Sequence, residues 1–318
     1  MSTRKAILLS FSVFILILAS HIIARVQGSS RDLPHPNTID GGDFVSVPPV
    51  EVAIGTFQDR IKNNPHDSVS YTLLGEQYIR QARETGDVSG YQRAEQSLMQ
   101  SLELIPNYAP AQTALASIYY SQHDFTRSLT LAEQVYESNY KNTQARIIMA
   151  DSYLSVGQYQ EAEAIYVELG DVNLTPPLLA RLANLAELQG DSDQALQLIR
   201  RAAGETLRAG GTQENAAWYL LRVGDLYFNR GEIKTAGEFY EASLRVFDDY
   251  YLAYAGIGKV RAAQGNYEEA IEYYQQAVNL VPQPDFLAAL GDLYMLPANR
   301  NRQRSSMTRW NISASWPR

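Results

Sequence analysis

"YAGIGKVRAAQGNYEEAIEYYQQAVNLVP", residues 254–282, carries four markers whose spacing returns elsewhere in the chain. Gly258 is followed seven residues later by Gly265, five further on by Ala270, and four after that by Tyr274. The same intervals join Gly224, Gly231, Ala236 and Tyr240. They join Ala150, Gly157, Ala162 and Tyr166 as well, and Ala183, Gly190, Ala195 and Ile199 make a fourth copy. Helix packing accounts for the pattern. The first small residue lets one helix (helix A) approach the next (helix B) closely. The glycine ends helix A in a left-handed turn that other residues enter only against a Cβ clash. The alanine sits where the two helices cross, and the aromatic fills the seam to the next unit. A proline such as Pro282 or Pro106 then stops helix B.

Carried across residues 50–296, these markers resemble the tetratricopeptide repeat (TPR) family, whose helix-turn-helix unit reads W-x2-L-G-x2-Y…A-x3-F…P. The last full copy supplies Tyr254, Ile257, Gly258, Ala270, Tyr274 and Pro282, with Arg261 where the mid-helix tyrosine is usual. An earlier copy supplies Tyr71, Leu74, Gly75 and Tyr78, then Ala94, Leu98 and Pro106, with an interhelix stretch ("ARETGDVSGYQ") expected to be a loop about seven residues longer. Another has Leu115, Ala116 and Tyr119, but Ser128 and Ala132 in place of the alanine and aromatic. Residues 52–65 read as a lone leading helix. After Ala203, "GETLRAGGTQENAAW" delays the next repeat by about seven residues, as a longer turn or a hinge at Gly210 and Gly211. Units of this kind cannot bury their apolar faces alone and stack on their neighbours. The expected fold is therefore an all-α, right-handed superhelical solenoid of about six full repeats over residues 49–296, with half-repeats at the ends and the last repeat incomplete.

The flanks read differently. Residues 1–28 have early positive charges, Arg4 and Lys5, and then an apolar run to about Ala24. That is the layout of an export signal, either cleaved before Ser29, with Val26 and Gly28 at the −3 and −1 positions, or retained as a membrane anchor. The two early cations hold the start of the chain in the cytoplasm and place the remainder on the extracytoplasmic side. Residues 29–48, rich in Pro, Ser, Gly and Asp, read as a flexible linker. Residues 297–318 contain five arginines, no acid and two of the three tryptophans. Leu287, Leu290, Gly291 and Tyr294 open one more helix A, yet Ala298 and Gln303 stand where glycine and alanine are due. With codons chosen within the degeneracy of the code, a one-nucleotide shift of this tail reads TGKPEQAEEQYDTVEYISKLA. That string restores the glycine, the alanine and a tyrosine in register. The tail is accordingly expected to be a frameshifted end; the alternative is an Arg/Trp segment for membrane or nucleic acid.

Composition narrows the chemistry. There is no cysteine, which excludes disulfides, thiolate metal sites and cysteine nucleophiles. The net charge of −8 conceals a repeat region with 18 bases against 32 acids, a balance that disfavours nucleic acid. The four histidines, His21, His35, His66 and His123, fit no metal-ligand spacing, and no hydrolase, zincin or phosphate-loop motif is present. "GDSD" at 190–193 reads as an interhelix turn, and Asn173 opens a formal glycosylation sequon. No catalytic residue, metal site or cofactor is expected.

The TPR resemblance implies a concave groove lined by helix A residues that receives a protein partner, as an extended peptide or a helix. In register, the inward residues are Glu76, Arg80, Ser117, Tyr120, Asp151, Asn184, Trp218, Asp225 and Lys259. The basic-plus-asparagine clamp of chaperone-binding relatives is absent, since the matching positions hold Thr72 with Glu76, or Ile147 with Asp151. The expectation is a protein-binding scaffold or assembly factor outside the cytoplasm, touching the membrane only through its N-terminal segment. Self-association as a homo-oligomeric envelope protein, or service as an accessory subunit of an enzyme complex, are the alternatives.

Overall fold

The computed structural model describes residues 33–39, 44 and 48–296; the expectations for residues 1–28 and 297–318 lie outside these. Among the described residues the regular structure is fourteen α-helices and one short 3-10 turn, Pro36–Thr38. The helices are α1 (Val50–Asn63), α2 (Ser68–Thr85), α3 (Ser89–Leu104), α4 (Ala109–Ser121), α5 (Phe125–Ser138), α6 (Thr143–Ser155) and α7 (Tyr159–Val172). They continue with α8 (Pro176–Leu188), α9 (Ser192–Ala209), α10 (Gln213–Asn229), α11 (Ile233–Val246), α12 (Tyr251–Ala263), α13 (Tyr267–Leu280) and α14 (Pro284–Met295). One compact unit holds α1–α8 and a second holds α9–α14 together with residues 33–39. The expected all-helical repeat fold is what the structure shows. Helix A–helix B pairs are α2/α3, α4/α5 and α6/α7 in the first unit, and α10/α11 and α12/α13 in the second.

Local signals set the helix ends. Asp67, Asp124, Asn142 and Thr212 each accept a backbone N–H three residues on, satisfying a donor that the first helical turn leaves free. Gly157, Gly190, Gly231 and Gly265 lie between helix A and helix B at φ of 79–84°, as the spacing requires. In α4/α5 that position is occupied by His123 at φ 61°, a left-handed residue that carries a Cβ.

The small residues work as the spacing implied. A Cβ added to Gly75 would meet Leu98 at 2.8 Å, one at Gly224 would meet the Tyr240 ring at 2.6 Å, and one at Gly258 would meet Tyr274 at 2.9 Å. Ala94, Ala162, Ala236 and Ala270, at the helix crossings, are fully buried. Tyr166 and Tyr240 are among the largest side chains with no exposure, and burying each such ring contributes about 1.5–3 kcal/mol. The irregular Ser128 is also explained. Buried, it donates to the Ala116 carbonyl at 2.9 Å across the A–B crossing and accepts from Ser152 at 3.1 Å, so its hydroxyl is satisfied.

Three sequence expectations change. The insertion between Gly75 and Ala94 is not a long loop. It lengthens α2 to 18 residues and α3 to 16, leaving only residues 86–88 between them. Gly90 packs against Ala82 and the Tyr78 carbonyl, where a Cβ would come within 2.9 Å of both. The second insertion likewise extends α9 to 18 residues, leaving only residues 210–212 before α10 in place of a long turn. Extra residues are absorbed as helix because helical backbone satisfies its own hydrogen bonds. Thirdly, residues 33–39 of the expected linker are packed. Leu33, Pro36 and Ile39 are buried against the second unit, and Arg245 of α11 donates to the carbonyls of Pro36 (2.6 Å) and Ile39 (3.0 Å). Three apolar side chains spaced three apart give this piece a surface to bury, which its Pro- and Ser-rich composition masks.

Candidate partner-binding face

The residue directly after each small helix A residue recurs at one place in every repeat. In the first unit these are Glu76, Ser117, Asp151 and Asn184; in the second they are Asp225, Lys259 and Asp292. One or two turns along the same helices stand Arg80, Tyr120 and Trp218. The structure divides these residues into those engaged by the fold and those left open.

Asp151 is the most engaged. It is only 8% exposed, and Arg181 of α8 clamps it by donating Nε to both carboxylate oxygens (2.7 and 2.9 Å) and a terminal nitrogen to Oδ2 (2.7 Å). Tyr166 of α7 adds its hydroxyl at 2.5 Å. Asp225 repeats the theme. Tyr240 donates to it at 2.9 Å and Arg222 at 3.1 Å, in a half-buried setting. In both cases the tyrosine stands 15 residues after the aspartate. It is the aromatic marker of helix B, reaching back to helix A. Burial, and then the charge of the facing aspartate, pushes both phenols well above the ordinary tyrosine range. This aspartate–tyrosine pairing escaped the sequence reading, although the repeated interval of 15 was available to find it.

The others are less committed. Glu76 keeps an exposed edge, and desolvation by its neighbours raises its carboxyl above the usual carboxylate range. Arg80 pairs with Glu84 at 2.6 Å and donates to the Pro48 carbonyl at 3.0 Å. Ser117 donates to the carbonyl three residues before it, while Tyr120 accepts from Ser155 at 3.1 Å and leans on Phe125. Asn184 is exposed on α8. Trp218 is 39% exposed and stacks edge-on to Tyr219. Lys259 places its ammonium 4.0 Å above the Phe228 ring, a cation–π contact. Surface depressions along α3 (Gln92, Gln96, Met99) and between α11 and α13 (Leu244, Asp248, Tyr273) involve none of the nine.

Among the described residues, no group of three or more His, Asp and Glu is placed to hold a metal, and no helix is long and apolar enough to cross a membrane. What the helix A residues of each unit can do chemically is recognise: the first unit offers a carboxylate and an amide, the second an ammonium and an indole, on rigid helices.

Residues 91–169 match the family described as anaphase-promoting complex, cyclosome, subunit 3, and residues 258–296 match the TPR repeat. In sequence the chain is similar to the TPR repeat-containing protein YpiA of Bacillus subtilis, with 20% identity over 179 residues, 55% of this chain and 41% of that one. It is also similar to the formate-dependent nitrite reductase complex subunit NrfG of Escherichia coli O157:H7, with 26% identity over 151 residues, 46% of this chain and 73% of that one. In structure it is similar to a chain of the APC/C hetero-tetramer Cut9-Hcn1, with a TM-score of 0.61 and 14% identity over 77% of this chain and 46% of that one. The chain thus spans about two fifths of its Bacillus relative and less than half of the Cut9-Hcn1 chain.

Proposed function

We infer that this tetratricopeptide-repeat protein is a non-enzymatic scaffold that holds a protein partner, as a peptide segment or a helix, against its helix A face on the extracytoplasmic side of a membrane. The observation that carries the reading is what remains on helix A once packing is satisfied. Glu76 and Asn184 in the first unit, and Trp218 in the second, are exposed beside fully packed small-residue seams. Exposed tryptophan on a rigid helix is the kind of side chain that concentrates binding energy at protein interfaces. Trp218 shares its face of α10 with Arg222 and Asp225, four and seven residues on, so the indole is flanked by charge. The relatives add support of a general kind, since NrfG is named as a subunit of an enzyme complex and the Cut9-Hcn1 chain was solved within an assembly. The extracytoplasmic placement rests on the sequence of residues 1–28 alone.

The test is site-specific photo-crosslinking of the full chain in its own cells, with the probe at Asn184 or Trp218 and at Lys234 as a control on the helix B side. A discrete adduct with one other protein from Asn184 or Trp218, and none from Lys234, is expected. Adducts only between copies of this chain would replace the scaffold with self-association; no adduct above the Lys234 control would overturn the reading. A phosphatase reporter that is active only outside the cytoplasm, fused after residue 296, tests the placement. An inactive fusion would reject it.

A further inference from the structure

Residues 33–39 stand just after the N-terminal segment in the sequence, yet they are docked on the second unit. Leu33 lies on the C-terminal half of α9, its Cα 3.7 Å from a Cβ built at Gly204. Six residues on, Ile39 is held at the C-terminal end of α11 by Arg245, which also holds Pro36. Leu33 and Ile39 are each 5% exposed. Burying two such side chains contributes about 3–6 kcal/mol, and two hydrogen bonds from a charged donor add to it. The segment is a strap fastened at both ends. Fastening shortens the reach of whatever precedes it, since an extended chain spans at most about 3.6 Å per residue. Leu33 is the fifth residue after Gly28, a reach of about 18 Å. With the strap released, the first backbone group tied to a repeat helix among the described residues is the Pro48 carbonyl, which accepts from Arg80 of α2. Pro48 is the twentieth residue after Gly28, and the reach grows to about 70 Å.

We propose that the strap sets the height of the second unit above the bilayer, so that the partner taken at Trp218 is the juxtamembrane segment of a membrane protein. The proposal rests on the extracytoplasmic reading above, with residues 1–28 retained as an anchor. On that reading the docked end of the unit is held within about 18 Å of the membrane surface. Trp218 belongs to this end. α9 runs to Ala209, only residues 210–212 intervene, and α10 returns antiparallel from Gln213. Gly204 and Trp218 therefore each lie five residues, about 7.5 Å of helix, from the turn that joins them. Lys234 marks the opposite end, eleven residues before Arg245 and about 16 Å away along α11. A site confined to a thin layer above the bilayer meets segments tethered to the same bilayer at far higher effective concentration than it meets proteins in free solution.

The chain has no cysteine, so single cysteines can report position. Arg208→Cys, exposed beside the docked end, and Lys234→Cys carry a donor dye in the full chain, reconstituted into phosphatidylcholine–phosphatidylglycerol vesicles with an acceptor dye on the lipid headgroup. Energy transfer should be stronger from position 208 than from position 234. Leu33→Asp with Ile39→Asp, which sets carboxylates in buried places, should lower both signals and remove the difference, with helix content retained. Arg245→Met, which removes only the two strap hydrogen bonds, should move both signals the same way by a smaller step. A chain that stays off the vesicles overturns the anchor reading and the proposal with it. A chain held on them that transfers equally from 208 and 234, or ignores the strap changes, leaves the anchor standing and overturns the proposal alone. In the chain's own cells, the partner photo-crosslinked from Trp218 should stay in the membrane through an alkaline wash; a partner released by the wash refutes its juxtamembrane origin.

Discussion

Adding one methyl group at Gly224 should destabilise the protein, although the same change in an ordinary helix is favourable. Alanine is preferred to glycine in a helix interior by about 0.5–1 kcal/mol. At Gly224, however, the new Cβ would stand 2.6 and 2.7 Å from two carbons of the Tyr240 ring and 3.3 Å from the Ala236 carbonyl. The ring has to retreat by roughly 1 Å to restore van der Waals separation, and it has nowhere to go. On its far side lies Gly256 of α12, where a Cβ would also fall 2.8 Å from the ring, and its hydroxyl is tied to Asp225. Overpacking of this kind costs about 1–3 kcal/mol. Set against the propensity gain, the net loss for Gly224→Ala is about 1–2 kcal/mol. Gly291→Ala occupies the equivalent place in α14, where no described atom lies within 4 Å of the added Cβ, and should gain about 0.5–1 kcal/mol. Urea denaturation followed by far-UV circular dichroism gives both values in one experiment. If Gly224→Ala were as stabilising as Gly291→Ala, the claim that glycine is there to admit Tyr240 would be wrong.

His123→Gly should raise stability by about 0.5–1 kcal/mol: it releases a left-handed strain of about 1–2 kcal/mol, offset in part by the lost edge contact with Phe125 and by the greater entropy of the unfolded chain. A midpoint that falls in the same urea assay would refute this. Burial pushes Tyr166, Tyr240 and Tyr250 far above the ordinary tyrosine range, so the folded state keeps protons that the unfolded chain releases above about pH 10. Their contribution is intact below that pH and declines above it, by about 1.4 kcal/mol per pH unit for each tyrosine. Tyr166→Phe should flatten the decline between pH 10 and 11, and an unchanged slope would count against its burial. Asp151→Asn should cost about 2–3 kcal/mol, less than the roughly 3–5 of a fully buried pair because Arg181 keeps 30% of its side chain in water. Adding Arg181→Met should recover part of that loss, and a strictly additive double variant would show the clamp to be energetically idle.

The repeat architecture was legible because its causes are periodic. A glycine that must turn left, an alanine that must cross and a ring that must fill a seam recur at fixed intervals, as Gly258, Gly265, Ala270 and Tyr274 show. What escaped has no period. Arg245 reaches back 209 residues to the Pro36 carbonyl, and nothing in either neighbourhood announces the pairing. His123 hides a left-handed turn behind a residue that rarely adopts one. The two insertions resembled loops since they contain glycine, yet Gly90 and Gly204 are buried within helices where a larger residue would meet its neighbours. The candidate face was only half legible for a similar reason. Helical register placed the residues on helix A, but the partners that engage Asp151 lie on two further helices.

That division bears on how a binding experiment should be built. The position after the small residue is where packing and recognition compete for the same side chain. In α6 and α10 packing has taken it, because a buried tyrosine hydroxyl from helix B needs an acceptor and the aspartate of helix A supplies it. In α2 the facing helix B residue is Leu98, which has no hydroxyl, and Glu76 stays exposed, as does Asn184 on α8. Changing Asp151 or Asp225 would lower stability and partner binding together, and the loss of binding could not be credited to a contact. Asn184→Ala and Trp218→Ala separate the two effects. Asn184 is solvent-facing, so its change should leave the urea midpoint within about 0.5 kcal/mol of the parent. Trp218→Ala, at a side chain 39% exposed and packed edge-on to Tyr219, should cost about 1–2 kcal/mol of stability, which is measured beside the binding. A partner held on the helix A face should nevertheless lose at least tenfold in affinity from Trp218→Ala, about 1.4 kcal/mol. Should Asp225→Ala weaken the partner while Trp218→Ala does not, the effect would trace to a loosened α10/α11 seam, and the indole would have no part in recognition.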